Sequence, residues 1–179
     1  KGLELTLKDF EELALKCRVS VLPWRRDLEF LVSVFHTEAV AWAEKLRAIG
    51  ERTQRPSLRR LKIPSGELTN LYLIEAVATA GFPIILSTGM ANLEEIGEAV
   101  TAAHNAGCHD LALLHCVSGY PTPAEETNLR TLTDLAQKFD VITGLSDHTL
   151  GTAVAVASVA LGATLVEKHF TLRRADGGP

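Results

Sequence analysis

The sequence predicts an α/β fold of the (β/α)8 barrel kind, present as about six βα units. Three observations carry this. Short apolar runs, bounded by turn or polar residues as buried parallel strands are, alternate with helical patterns. Strand starts recur every ~20–30 residues, the length of one βα unit. The strands end in small polar or reactive groups: Ser65-Gly66-Glu67, Ser87-Thr88-Gly89, His115-Cys116 with Ser118 and Tyr120, Ser146-Asp147-His148 and Glu167-Lys168-His169. A closed parallel barrel gathers all such carboxyl ends around one mouth. A doubly wound sheet uses mainly those at its switch point, so the spread of polar ends favours the barrel.

The elements follow in order. Thr6 is placed to cap a helix carrying Phe10, Leu13, Ala14 and Cys17. Glu29–Phe35 is a strand candidate, followed by a helix through Val40, Trp42, Ala43 and Leu46. Two stretches interrupt this part. One is Val21–Arg26. The other is Glu51–Arg60, which is basic and has no apolar period; it reads as a solvated surface loop in preference to a basic binding segment. Strands are expected at Leu61–Ile63, Pro83–Leu86, Leu111–Leu114, Val141–Leu145 and Thr164–Val166. Between them, helical faces are formed by Leu71, Leu73, Ile74 and Val77, by Leu93, Ile96, Val100 and Ala103, and by Leu129, Leu132, Leu135 and Ala136. Val154–Ala160 is small and apolar nearly all round, which predicts a well-buried helix. Thr122-Pro123-Ala124-Glu125 and Asn92-Leu93-Glu94-Glu95 read as capped helix starts. Gly81, Gly107 and Gly162 sit where helices stop. The count is six strands, two short of a closed eight-stranded barrel.

The 179 residues suffice for one domain with a real core. A net charge of -4 gives no sign of a nucleic-acid surface, and no apolar run approaches the ~20 residues that span a membrane. Lys1-Gly2-Leu3 leads straight into an amphipathic pattern, with no signal peptide, and the absence of a starting Met is that of a fragment. Cys17, Cys108 and Cys116 lack C-x-x-C spacing. They read as buried thiols of a protein in a reducing cytoplasm.

His148 and His169 each follow a strand and are separated by one helix. They therefore stand on adjacent strand ends, within reach of a shared divalent metal; the bland alternative is a pair of locally hydrogen-bonded polar residues. Imidazole suits Mn, Fe, Co or Zn better than Mg. The neighbouring carboxylates, Asp147 and Glu167, are placed to orient a ligand or reach the metal through water. Lys62 and Lys168 lie inside strands, where a lysine is unusual. Each is either a rim lysine with its ammonium in water or a cation aimed at phosphate or carboxylate. Alternation turns Lys168 away from the side that His169 faces. Ser65, Ser87, Thr88, Ser118 and Ser146 recur at strand ends, often beside Gly, the material of a phosphate cradle. Each is weak alone, since Ser and Gly populate any loop. Glu67 and Asp147 are either acid–base groups or solvated carboxylates.

Several motifs resemble, together, the N-acetylneuraminate (sialic acid) synthase family. They are Lys62-Ile63-Pro64-Ser65-Gly66-Glu67, Ile84-Ile85-Leu86-Ser87-Thr88-Gly89-Met90, Leu113-Leu114-His115-Cys116 with Tyr120-Pro121-Thr122-Pro123, Gly144-Leu145-Ser146-Asp147-His148-Thr149-Leu150-Gly151, Ala160-Leu161-Gly162-Ala163 and Glu167-Lys168-His169-Phe170-Thr171. The resemblance runs from about Leu61 to Pro179. It is weaker over 1–60, where Leu3–Cys17 and Phe30–Leu46 are similar to the corresponding helix, strand and helix and where the basic stretch near 51–60 is similar to an insertion.

That resemblance implies a TIM barrel followed by a small antifreeze-like domain. It implies an enzyme that condenses phosphoenolpyruvate with an N-acylhexosamine such as N-acetylmannosamine, giving a nine-carbon 2-keto sugar acid and phosphate. It implies Mn or Mg held by His148 and His169. It implies phosphoenolpyruvate held by Lys62, Ser65, Ser87 and Ser146, with Ser118 where some members have Asn. Glu67 and Tyr120 match positions near the amino sugar, and Asp147 an acid beside the metal. A homodimer is implied for the full-length protein. Against the family pattern, the first two strands and the antifreeze-like domain have no counterpart in this chain. The alternatives are a legionaminic, pseudaminic or 9-phosphate synthase, and an inactive barrel fragment serving as a binding or structural module.

Overall fold

Apolar side chains on both faces of each strand dictate a sheet that is covered on both sides, and the computed structural model has one. The structure describes residues 29–52, 58–173 and 175, together with Lys8 and Glu12, both helical. The helix expected behind Thr6, with Phe10, Leu13, Ala14 and Cys17, lies outside the described residues, as do Val21–Arg26 and the centre of the basic stretch. Among the described residues six strands form the sheet: β1 Val32–Ser33, β2 Leu61–Ile63, β3 Ile84–Ser87, β4 Leu111–Cys116, β5 Ile142–Asp147 and β6 Leu165–Lys168. They lie in sequential order, and every neighbouring pair is parallel. Among the described residues, apart from Lys8 and Glu12, the helices are α1 Thr37–Arg52, α2 Leu71–Thr79, α3 Leu93–Asn105, α4 Thr131–Phe139 and α5 Ala153–Ala160.

The two faces of the sheet do different work. On the helix side, Leu61, Ile63, Ile84, Leu86, Leu111 and Leu113 join Leu73, Ile74 and Val77 of α2 and Ile96 and Val100 of α3 in the main core. The opposite face is layered by the strand register. Lys62, Ile85, Ala112 and Ile142 form one row, Ser87, Leu114, Gly144 and Leu165 the next, and Cys116, Ser146 and Glu167 the last, nearest the carboxyl ends. Ile85, Ala112, Leu114 and Leu165 pack as a small second cluster, an apolar floor beneath the polar row. Gly144 makes this floor possible: a Cβ there would overlap the Leu165 carbonyl oxygen and lie 2.7 Å from Leu114 Cδ2.

The helix boundaries repay the local chemistry. Asn92 closes a capping box on α3: its Oδ1 accepts from the backbone N–H of Glu94 and Glu95 at 2.9 and 3.0 Å, and Glu95 Oε2 accepts from Asn92 N–H at 2.8 Å. Asn70 caps α2 by accepting from Leu73 N–H. Gly81, Gly107 and Gly162 all carry positive φ where their helices stop.

Two expectations are corrected. Thr122-Pro123-Ala124-Glu125 does not start a long helix. Ala124–Glu126 is a single 3-10 turn, and the Thr122 hydroxyl donates back to the carbonyls of Gly119 (2.7 Å) and Val117 (3.2 Å) instead of capping. The competing local bonds of a tight loop win. Helix α5 is also not well buried. Val154 and Ser158 are inside, but Val156 and Val159 are exposed, because the main packing partner of α5 among the described elements is β5. In the basic stretch, Glu51 and Arg52 end α1, and Arg60 forms a two-pronged ion pair with Glu29 at 3.0 and 3.3 Å.

Candidate active site

The polar row and the loops that follow it enclose a cavity of about 260 Å³. Lys62, Ser65, Ser87 and Ser146 line one part of it, and Tyr120, His148 and His169 another. Pro64, Cys116, Glu167 and Lys168 make up the rest of the lining. Seven of the ten side chains to which the family resemblance assigns a role therefore meet in one place.

Lys62 Nζ is buried and lies 3.0 Å from Glu167 Oε2. The same oxygen accepts a 2.7 Å hydrogen bond from Ser146 Oγ. Ser87 Oγ is buried without any hydrogen-bond partner among the described residues. An unmet buried hydroxyl is costly, and this one lies on the cavity wall, where a ligand oxygen would satisfy it.

His148 is fixed from behind. Its Nδ1 lies 2.8 Å from the Val117 carbonyl oxygen. A carbonyl only accepts, so Nδ1 carries a proton, which in the neutral ring leaves the lone pair on Nε2, 3.5 Å from Ser146 Oγ. The loop supplying that carbonyl is itself tied down, since Thr122 N–H donates to the His148 carbonyl at 3.0 Å. His169 stands with its ring centroid 5.4 Å from that of His148, edge to face. Tyr120 covers both, with its ring 4.2 Å from His148 and 5.7 Å from His169. Burial pushes the Tyr120 hydroxyl up from its ordinary pKa, and its neighbours Cys116 and Glu167 add to this electrostatically.

Gly89 shapes a second corner. Its missing Cβ leaves room for Ser118 Oγ, Cys116 Sγ and Ser65 Oγ, which would lie 2.7, 3.0 and 3.2 Å from such an atom. This places Ser118 beside Ser65 at the margin of the cavity, though not in its wall. Glu67 also stands outside the wall, its Oε2 accepting from Asn70 Nδ2 at 2.8 Å. Asp147 faces the helix side of the sheet, fully buried. Its Oδ2 receives Lys168 Nζ at 2.7 Å, and its Oδ1 receives the Thr149 N–H and hydroxyl at 2.9 and 2.7 Å. Burial alone would raise its pKa, but Lys168 and the Thr149 donors outweigh that and hold it below the usual carboxylate range. Lys168 reaches the Thr149 carbonyl as well, at 2.8 Å, so both members of this pair are engaged in fixing the loop behind His148.

Sequence reasoning counts Cys116 among the strand-end groups and reads it as a buried thiol, but assigns it no part in the site. It is buried, but on the cavity side, 3.9 Å from His148 Nδ1. The signal was available: strand pairing puts Cys116 level with Ser146. Gly89 gave no signal, since its role depends on three side chains from other parts of the chain.

Residues 1–179 match the model of the NeuB family. The chain belongs to the NeuB family. It is 41% identical to the N,N'-diacetyllegionaminic acid synthase of Campylobacter jejuni over 99% of this chain and 49% of that protein. It is 34% identical to the pseudaminic acid synthase of Helicobacter pylori over 96% of this chain and 47% of that one. The crystal structure of the N-acetylneuraminic acid (sialic acid) synthetase of Leptospira borgpetersenii, in complex with citrate, superposes with a TM-score of 0.81 at 31% identity. That superposition covers 96% of this chain and 54% of the other. The chain thus spans about half the length of these NeuB relatives, and its six parallel strands form a curled, partial barrel. Among the described residues no helix is long and apolar enough to cross a membrane.

Proposed function

We propose that this chain forms the substrate-binding mouth of an enzyme that condenses phosphoenolpyruvate with an N-acylhexosamine, giving a nine-carbon 2-keto sugar acid and phosphate. The observation that carries the reading is the donor set around Ser87. A buried, unpartnered hydroxyl shares a cavity with a buried ammonium and two further serines. That is a receptor for a small, multiply charged anion, and phosphoenolpyruvate brings both a phosphate and a carboxylate.

In this reading Lys62, Ser65, Ser87 and Ser146 hold phosphoenolpyruvate, and Ser118 supports them from the margin. Tyr120, stacked on His148 at the rim, and Glu67, held by Asn70, face the amino sugar. His148 Nε2 and His169 hold a divalent ion, Mn or Mg. The donor chemistry fits in that His148 presents a lone pair fixed by the Val117 carbonyl. No group of three His, Cys, Asp or Glu side chains among the described residues is placed to hold a metal, so oxygen ligands from substrate or water complete the set. When bound, such an ion supplies Lewis-acid polarisation of the sugar aldehyde. The protein's own part is to bring the enol carbon and the aldehyde together and to neutralise charge on the departing phosphate. Asp147 acts from behind His148, by fixing its loop. We further read the six strands as a barrel lacking its first two, within a longer polypeptide that works as a homodimer in the cytoplasm.

A legionaminic or pseudaminic acid synthase is the second reading, favoured by the similarity to relatives of those names across nearly the whole chain. Both readings share the phosphoenolpyruvate half-reaction and differ in the sugar. Full-length protein incubated with phosphoenolpyruvate, Mn and a panel of N-acyl sugars tests both. Phosphate release that depends on one sugar and is lost in His148→Ala is the expected result. Release with no sugar in the panel, or Mn binding unchanged in both His148→Ala and His169→Ala, would overturn the proposal.

A further inference from the structure

Lys62 carries a problem that the empty cavity has to solve. Its side chain is 8% exposed, and a buried ammonium without a partner is costly. The ion pair it makes among the described residues is with Glu167, at 3.0 Å. The same Glu167 oxygen takes the Ser146 hydroxyl bond. One carboxylate oxygen therefore satisfies two donors that face the cavity. The partners are unequal. Glu167 is 41% exposed, so its carboxylate can turn to water. Lys62, from the buried strand β2, has no such exit. Ser87 Oγ, in the same cavity, has no hydrogen-bond partner among the described residues. The Glu167 oxygen thus fills part of a donor set built for a ligand with more oxygens.

We propose that Glu167 is a displaceable counter-ion. In the ligand-free protein its carboxylate stands in for the ligand's anionic group at Lys62 and Ser146. It yields both donors when the phosphate or carboxylate of phosphoenolpyruvate enters. The inference rests on the phosphoenolpyruvate reading above. Glu167 is then an affinity-setting residue: it keeps the empty site neutral and stable, and every binding event has to break its pair with Lys62.

The test uses full-length protein stripped of metal with EDTA, comparing wild type with Glu167→Gln. Glutamine keeps the size and an acceptor for Ser146 but removes the charge. Phosphoenolpyruvate affinity is measured by titration calorimetry, and melting temperature with and without it. Glu167→Gln is expected to bind roughly fivefold tighter, the scale of one partly exposed ion pair. It is also expected to melt below wild type when empty and to gain more from ligand than wild type does. Glu167→Asp, which withdraws the carboxylate by one methylene, should tighten binding by less, and it serves if the glutamine variant does not fold. If wild type binds phosphoenolpyruvate while these variants bind it equally or more weakly, the counter-ion is wrong and the ligand reading stands. If wild type does not bind it at all, the ligand reading fails and the counter-ion falls with it.

Discussion

Replacing Ser87 by alanine should move stability and binding in opposite directions. Ser87 is 1% exposed, and its hydroxyl has no partner among the described residues. A buried polar group left unmet costs about 1–3 kcal/mol. Deleting the oxygen removes that cost and leaves a space of one atom, worth under ~1 kcal/mol at about 24 cal/mol per Å³. The empty protein should therefore gain about 1 kcal/mol, a rise in Tm of about 2–4 °C for a domain of this size. Binding should suffer, since a hydrogen bond to a charged group contributes about 1.5–3 kcal/mol, or roughly 10- to 100-fold in the affinity for phosphoenolpyruvate. Urea or thermal unfolding of the ligand-free full-length protein reads the first effect, and calorimetric titration the second. Ser146→Ala is the control: its hydroxyl is bonded to Glu167, so its loss brings no gain in stability. A Ser87→Ala variant destabilised by more than about 1 kcal/mol, or one with unchanged affinity, would refute the reasoning.

Three other perturbations probe the frame. Gly144→Ala should cost about 3 kcal/mol or more, because the new Cβ meets the Leu165 backbone and not merely a movable side chain; urea unfolding measures it. His115 is buried and its Nε2–H donates to the Thr127 carbonyl at 2.6 Å, and burial lowers its pKa below 6.5 against the smaller opposing effect of that bond. With the folded pKa depressed, its contribution to stability is fully present above pH 6.5 and is lost as pH falls through the folded value. His115→Gln should flatten that part of the stability–pH curve while leaving the curve above pH 7 parallel to wild type. Lys168→Met strands the fully buried Asp147 carboxylate and should cost about 3–5 kcal/mol. Adding Asp147→Asn should recover most of it, as a double-mutant cycle on unfolding free energy would show.

The βα rhythm was legible because it rests on local chemistry: apolar runs, capping residues and helix-stopping glycines. The Asn92 capping box needs four consecutive residues and no tertiary context, and it formed as read. What failed depended on neighbours distant in sequence. The Thr122 hydroxyl had the right spacing for a cap, but Gly119 and Val117 offered acceptors within its own loop. The all-round apolar helix α5 announced a buried position, yet burial needs a covering element, and α5 rests mainly on β5. Gly89 and Gly144 matter only through atoms brought to them by other strands, which no single-sequence pattern displays.

For the site, strand alternation was the stronger guide and was applied unevenly. A period of two puts Ser146 with His148, and Glu167 with His169, on the cavity side. It puts Asp147 and Lys168 together on the other side, where the register aligns them and their side chains meet at 2.7 Å. The rule that set Lys168 aside applies equally to Asp147, which the resemblance matches to an acid beside the metal. The geometry still connects this pair to the chemistry by a different route. Asp147 grips Thr149 through its N–H and hydroxyl, while Lys168 grips the Thr149 carbonyl. His148 sits between Asp147 and Thr149 in sequence, and its Nδ1 donates to the Val117 carbonyl. The imidazole is thus held directly by Val117, and the backbone on either side of it by the bonds among Asp147, Thr149 and Lys168.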